Sequence, residues 1–97
     1  MLAPKIHLDF GEELEALQGA GYRITASRYD ADCFGNWFVD LVGPIKMRVV
    51  RERGQYYVAG PREPLEAYDL ARAFDDREAF WRTLKAYAIR KPGDASV

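Results

Sequence analysis

Along the chain, the spacing of apolar residues shifts from a helical period to a two-residue period and back again. Phe10, Leu14 and Leu17 fall on one face of a 3.6-residue repeat, which predicts a helix over 9–18. Asp9 is the expected N-cap, and Glu12 three residues later completes a capping box. Gly19 and Gly21 supply the stop, because glycine takes the left-handed cap conformation without a Cβ clash. From 22 to 29 the pattern alternates, with Tyr22, Ile24 and Ala26 on one side and Arg23, Thr25 and Ser27 on the other, as in a half-buried strand. Asp30-Ala31-Asp32 reads as a turn. Residues 36–42 carry the strongest strand signal, with Trp37, Val39 and Leu41 sharing a face, and Gly43-Pro44 breaks it. A third strand over 45–53 sets Ile45, Met47 and Val49 against Lys46, Arg48 and Val50. Arg53-Gly54 predicts a tight reversal into a fourth strand over 55–59, which Gly60-Pro61 ends.

The tail returns to the helical period. Residues 65–74 suggest a short helix with Leu70, Ala73 and Phe74 inward, or an irregular cover. Asp75 and Glu78 make a second capping box, and 76–90 reads as a helix with Phe80, Leu84, Tyr87 and Ala88 on its inner face. Lys91-Pro92-Gly93 ends it. Helix, four strands, then one or two helices is an α+β domain over 1–97. Short connections make the sheet an antiparallel meander, with the helices packed on one face and the other face left wet or free to bind.

Size and charge narrow the function. Ninety-seven residues, 48% of them hydrophobic, can build one core without metal or disulfide staples. Cys33 is the only cysteine, which fits a reducing compartment, and no apolar run has signal-peptide or membrane-span character, so the expected location is cytoplasmic. The net charge of −1 is unevenly laid out. Residues 45–62 hold five basic side chains against one acidic, whereas 1–44 hold three basic against seven acidic. One basic segment on a slightly acidic body does not favour nucleic acid.

Candidate chemistry is sparse. His7 is the sole histidine, and nothing in the spacing links it to Cys33 as a nucleophilic pair. A zinc site needs about four Cys, His or acidic ligands. The carboxylate pairs Asp30/Asp32 and Asp75/Asp76 have ordinary roles as turn and cap residues. Asp30 and Asp32 with Asp40 match no calcium-loop spacing. No phosphate loop or nucleophile elbow is present, so no catalytic residue, metal or cofactor is expected.

The basic third strand is the sharpest feature. Lys46, Arg48, Arg51 and Arg53 can form an anion-recognising face, or a solvated face in which Asp40 pairs with Arg48 or Lys46. Tyr56 and Tyr57 are neighbours on one strand and must face opposite ways, as must Trp37 and Phe38. One of each pair is core, and the other can join the arginines in an interface. The expected partner-binding set is therefore Lys46, Arg48, Arg51, Arg53, Tyr56 and Tyr57.

Phe34-Gly35-Asn36-Trp37-Phe38-Val39-Asp40-Leu41, followed by Met47-Arg48-Val49-Val50-Arg51-Glu52-Arg53-Gly54-Gln55-Tyr56-Tyr57-Val58, resembles a group of short bacterial proteins. Some of these are similar to immunity proteins of polymorphic and contact-dependent toxin systems. The likeness covers residues 22–60, and no catalytic residue carries over. It implies a non-enzymatic module that occludes a cognate toxin. The alternatives are a structural or regulatory homodimer joined by an exposed sheet edge and a small carboxylate-dependent enzyme using Asp30 or Asp32.

Overall fold

The computed structural model describes residues 2–89. The order is α1 (Pro4–Gly19), β1 (Arg23–Asp30), β2 (Asn36–Val42), β3 (Met47–Glu52), β4 (Gln55–Ala59), α2 (Arg62–Ala67) and α3 (Arg77–Ala88). The strands form one antiparallel sheet in the order β1-β2-β3-β4, so the α+β meander is as the spacing predicts. All three helices contribute buried side chains to one cluster on a single face of the sheet. Ile6, Phe10, Leu14 and Leu17 come from α1, and Phe80, Leu84 and Tyr87 from α3. They meet Trp37, Val39, Leu41, Met47, Val49, Tyr56 and Val58. Full burial of side chains of this size stabilises the fold by roughly 1.5–3 kcal/mol each before the entropy of ordering them is subtracted.

Four local expectations are corrected. The first helix begins at Pro4, not Asp9, with Ala3 as its N-cap. Proline is well placed there, since the first-turn N–H it lacks would have no helical partner. Asp9 caps nothing. It sits beside a kink at Phe10 (φ −140°, ψ 16°), next to Gly11, where an added Cβ would lie 2.9 Å from the His7 ring. The end of α1 behaves as expected. The Gly21 N–H donates to the Gln18 carbonyl and the Tyr22 N–H to that of Leu17, a closed cap that places Gly21 at φ +99°.

In β1 the alternation breaks. The register skips from Ile24↔Leu41 to Ala26↔Asp40, leaving Thr25 as an extra residue. The bulge puts Ala26 on the face opposite Ile24 and brings Ser27 and Tyr29 to the core side, opposite Val39 and Trp37. The helix expected over 65–74 is instead α2 followed by irregular chain, and Phe74 forms a bridge with Tyr56 at the edge of β4. Finally, Asp76 rather than Asp75 caps α3, accepting from the Glu78 N–H, while Asp75 accepts from Gln55 Nε2 at 2.7 Å. The expected stop at 91–93 lies outside the described residues.

Candidate functional site

Because every helix packs on the same side, the opposite face of the sheet carries no element among the described residues. Alternation along the strands decides what it displays. Arg28, Phe38, Val50 and Tyr57 stand opposite one another in register and form a row across all four strands. Phe38, Val50 and Tyr57 are each half-buried although nothing covers them. The next row holds Ala26, Asp40, Arg48 and Ala59. Here Arg48 binds Asp40 in a fork, Nε to Oδ1 at 2.6 Å and the terminal nitrogen to Oδ2 at 3.0 Å. Its guanidinium carbon also lies 4.0 Å from the centre of the Phe38 ring. Such a pair keeps its geometry by bidentate bonding and stacking together. The rows enclose a shallow concavity of about 390 Å³ that reaches Arg28, Asp30 and Cys33 at one end.

The six expected binding residues divide between the two faces. Lys46, Arg48 and Tyr57 belong to the uncovered one, with Lys46 exposed just before β3. Arg53 lies at the hairpin tip with φ +51°, its N–H donating to Asn36 Oδ1 and its guanidinium 5.8 Å from the exposed Phe34 ring. Arg51 and Tyr56 face the helices. Strict alternation holds to the end of β3, so Arg51 shares its face with Met47 and Val49.

On that inner side Arg51 and Tyr56 meet Asp9. Asp9 Oδ1 accepts from the Tyr56 hydroxyl at 2.7 Å, and Oδ2 accepts from Trp37 Nε1 at 3.0 Å. Arg51 Nε lies 3.3 Å from Oδ2, an ion pair without hydrogen-bond alignment. Arg77, at the start of α3, donates to the Asp9 carbonyl at 2.7 Å. One carboxylate thus ties the kink of α1 to β2, β3 and β4. Burial pushes the Tyr56 hydroxyl above its usual pKa, the bond to Asp9 adds to this, and Arg51 opposes it. The phenol therefore stays protonated and donates to Asp9, which ties β4 to the kink of α1.

The remaining candidates are separated. Asp30 Oδ1 accepts from the Asp32 N–H in a turn, and Asp40 is engaged by Arg48. Cys33 is exposed, and a hydrogen bond to Asp30 raises its pKa, disfavouring the reactive thiolate. His7 lines a groove between α1 and β1, whereas Cys33 lines the outer concavity. Among the described residues no group of three His, Cys, Asp or Glu could hold a metal ion. No helix there is long and apolar enough to cross a membrane.

Sequence reasoning missed Arg28, Phe38 and Val50 as one row, and Asp9 as a hub. The row depends on pairing register across four strands. The hub joins residues 9, 37, 51 and 56, which no local period connects. No family model, curated protein or solved structure matches the chain.

Proposed function

We propose that the chain is a non-enzymatic protein-binding module that docks an acidic partner surface on the uncovered face of its sheet. The observation that carries this reading is the apolar row Phe38–Val50–Tyr57, aligned in register, uncovered, and flanked by Arg28, Arg48 and Lys46. Aromatic anchors beside arginine are the side chains that dominate binding at protein interfaces. Arg48 is held rigid by Asp40 and Phe38, so little of its freedom is lost on binding. Arg28 and Lys46 supply the charge that steers an anionic surface. The resemblance of residues 22–60 to immunity proteins directs the proposal to a cognate bacterial toxin, neutralised by occlusion.

The experiment captures what co-purifies with the tagged protein from its native host, identifies the partner, and measures the affinity of the purified pair. The expected result is a stoichiometric complex that weakens with salt. Phe38→Ser and Tyr57→Ser should each lower its affinity about 30-fold or more, as a 2 kcal/mol anchor implies, with circular dichroism unchanged. A tight complex indifferent to both substitutions would refute this face as the docking surface.

A further inference from the structure

We propose that the chain also forms a two-fold dimer in which the free edge of β1 pairs with β1 of a second copy, joining the two sheets into one. The two edges of the sheet are treated differently. At the β4 edge, the Tyr56 N–H donates to the Phe74 carbonyl at 2.8 Å and the Phe74 N–H returns the bond at 2.7 Å. Beside β1 there is no strand among the described residues.

The Tyr56–Phe74 pair also fixes which backbone groups of β1 are unused. Tyr56 turns its N–H and C=O outward, so by antiparallel alternation Gln55, Tyr57 and Ala59 bond to β3. Carried through the register, Met47, Val49 and Arg51 bond to β2, and Asn36, Phe38, Asp40 and Val42 bond to β1. In β1 this engages Arg23, Ala26, Arg28 and Asp30, and leaves Ile24, Ser27 and Tyr29 with backbone groups directed at the open edge. Unpaired edges of this length template strand addition.

The sequence of β1 is self-complementary in one register. With the axis at Ser27, Ser27 meets Ser27 and Ala26 meets Arg28. If Thr25 is skipped, as it already is against β2, Ile24 meets Tyr29 and Arg23 meets Asp30. Ile24, Ser27 and Tyr29 all lie on the core side, opposite Leu41, Val39 and Trp37, so the bulge that disrupts every unmatched register keeps faces matched in this one. The exposed Arg23 gains an opposite charge at each end of the pairing, and alanine leaves room for Arg28. Moving the axis to Arg28 would set two like charges against each other. A two-fold axis normal to the sheet puts both copies of α1 on the same side of the joined sheet, flanking the seam. The groove there, about 570 Å³ between α1 and Ile24–Ser27, faces the corresponding groove of the second copy.

Sedimentation across the micromolar range tests the proposal, and none of its variants alters the uncovered face's apolar row. The wild-type mass should double with concentration. Ser27→Pro removes an outward N–H that the monomer does not use, a proline placement edge strands tolerate, and should give a folded monomer. Arg23→Asp alone and Asp30→Arg alone should each weaken the dimer about tenfold or more. An equimolar mixture of the two should dimerise again, because only the mixed pair restores opposite charges at both ends. A wild-type monomer throughout the range, a dimer that survives Ser27→Pro, or a mixture no tighter than its components would overturn it.

Discussion

Asp9 holds the kink of α1 against three strands through a single carboxylate. An aspartate ahead of an amphipathic stretch is a good N-cap, yet here its two oxygens serve Tyr56 and Trp37 with Arg51 beside them. Asp9→Ala would strand two buried donors and a half-buried cation, so we expect a loss of about 3 kcal/mol in urea unfolding, the cost of charged hydrogen bonds left unmade. A loss below about 1 kcal/mol, the value of one ordinary hydrogen bond, would show that the hub does not hold α1. Glu13 is the second residue of this kind, buried on α1 with Oε2 lacking a hydrogen-bond partner. Burial raises its pKa above the ordinary 4.5, and Arg77 partly offsets this. A raised carboxyl pKa means the folded state keeps the proton where the unfolded chain has lost it. The penalty on folding is therefore absent below the ordinary value, grows as pH rises above it, and levels off once pH passes the folded value. Relative to Glu13→Gln, the wild type should lose stability as pH rises from about 4.5 toward neutrality. A difference that stays flat across that range would contradict the burial argument.

At the level of elements, the turns carry the topology. Glu52 pairs with Gln55 across Arg53-Gly54, and both turn residues have positive φ, +51° and +80°. This is the two-residue reversal whose twist matches that of the strands. A Cβ at Gly54 would meet nothing within 4 Å, so Gly54→Ala isolates backbone strain and should cost about 1 kcal/mol in thermal or urea unfolding. No change would mean that the hairpin relaxes to another turn. The Asp76 cap of α3 is comparable, and Asp76→Ala should cost about 1 kcal/mol where Asp75→Ala, which loses only an exposed bond to Gln55, costs less. β2, β4 and the inner face of α3 were legible because each obeys one period without interruption. The bulge at Thr25 was not, because the residues that follow it, Ala26 and Ser27, are too small and too weakly polar or apolar for their order to show that the phase has shifted.

For the whole molecule, the decisive fact is that all the helices lie on one side of the sheet. Trp37 and Phe38 are neighbours in sequence, yet one is 3% exposed under α1 and the other stands on the uncovered face beside Arg48. Trp37→Ala should cost about 4 kcal/mol, as expected for a large core aromatic, and Phe38→Ala clearly less. Equal losses in denaturant unfolding would mean that the second face is covered. The same asymmetry leaves three different surfaces, an uncovered face carrying the Phe38–Val50–Tyr57 row, a β4 edge bridged by Phe74, and a β1 edge with no neighbouring strand among the described residues.

The period of the apolar residues was enough to determine the α+β class, the four strands, their meander and the inward face of α3, because these follow from local spacing and short connections. It also located the basic strand and showed that Tyr56 and Tyr57 point opposite ways. Only the tertiary structure decided which of each pair is buried, that Arg51 serves Asp9 instead of the surface, and that Arg28, Phe38, Val50 and Tyr57 form one row. Those outcomes depend on register, on a single bulge and on which face the helices cover. Each is settled by contacts between segments far apart in the chain, where no local pattern reaches.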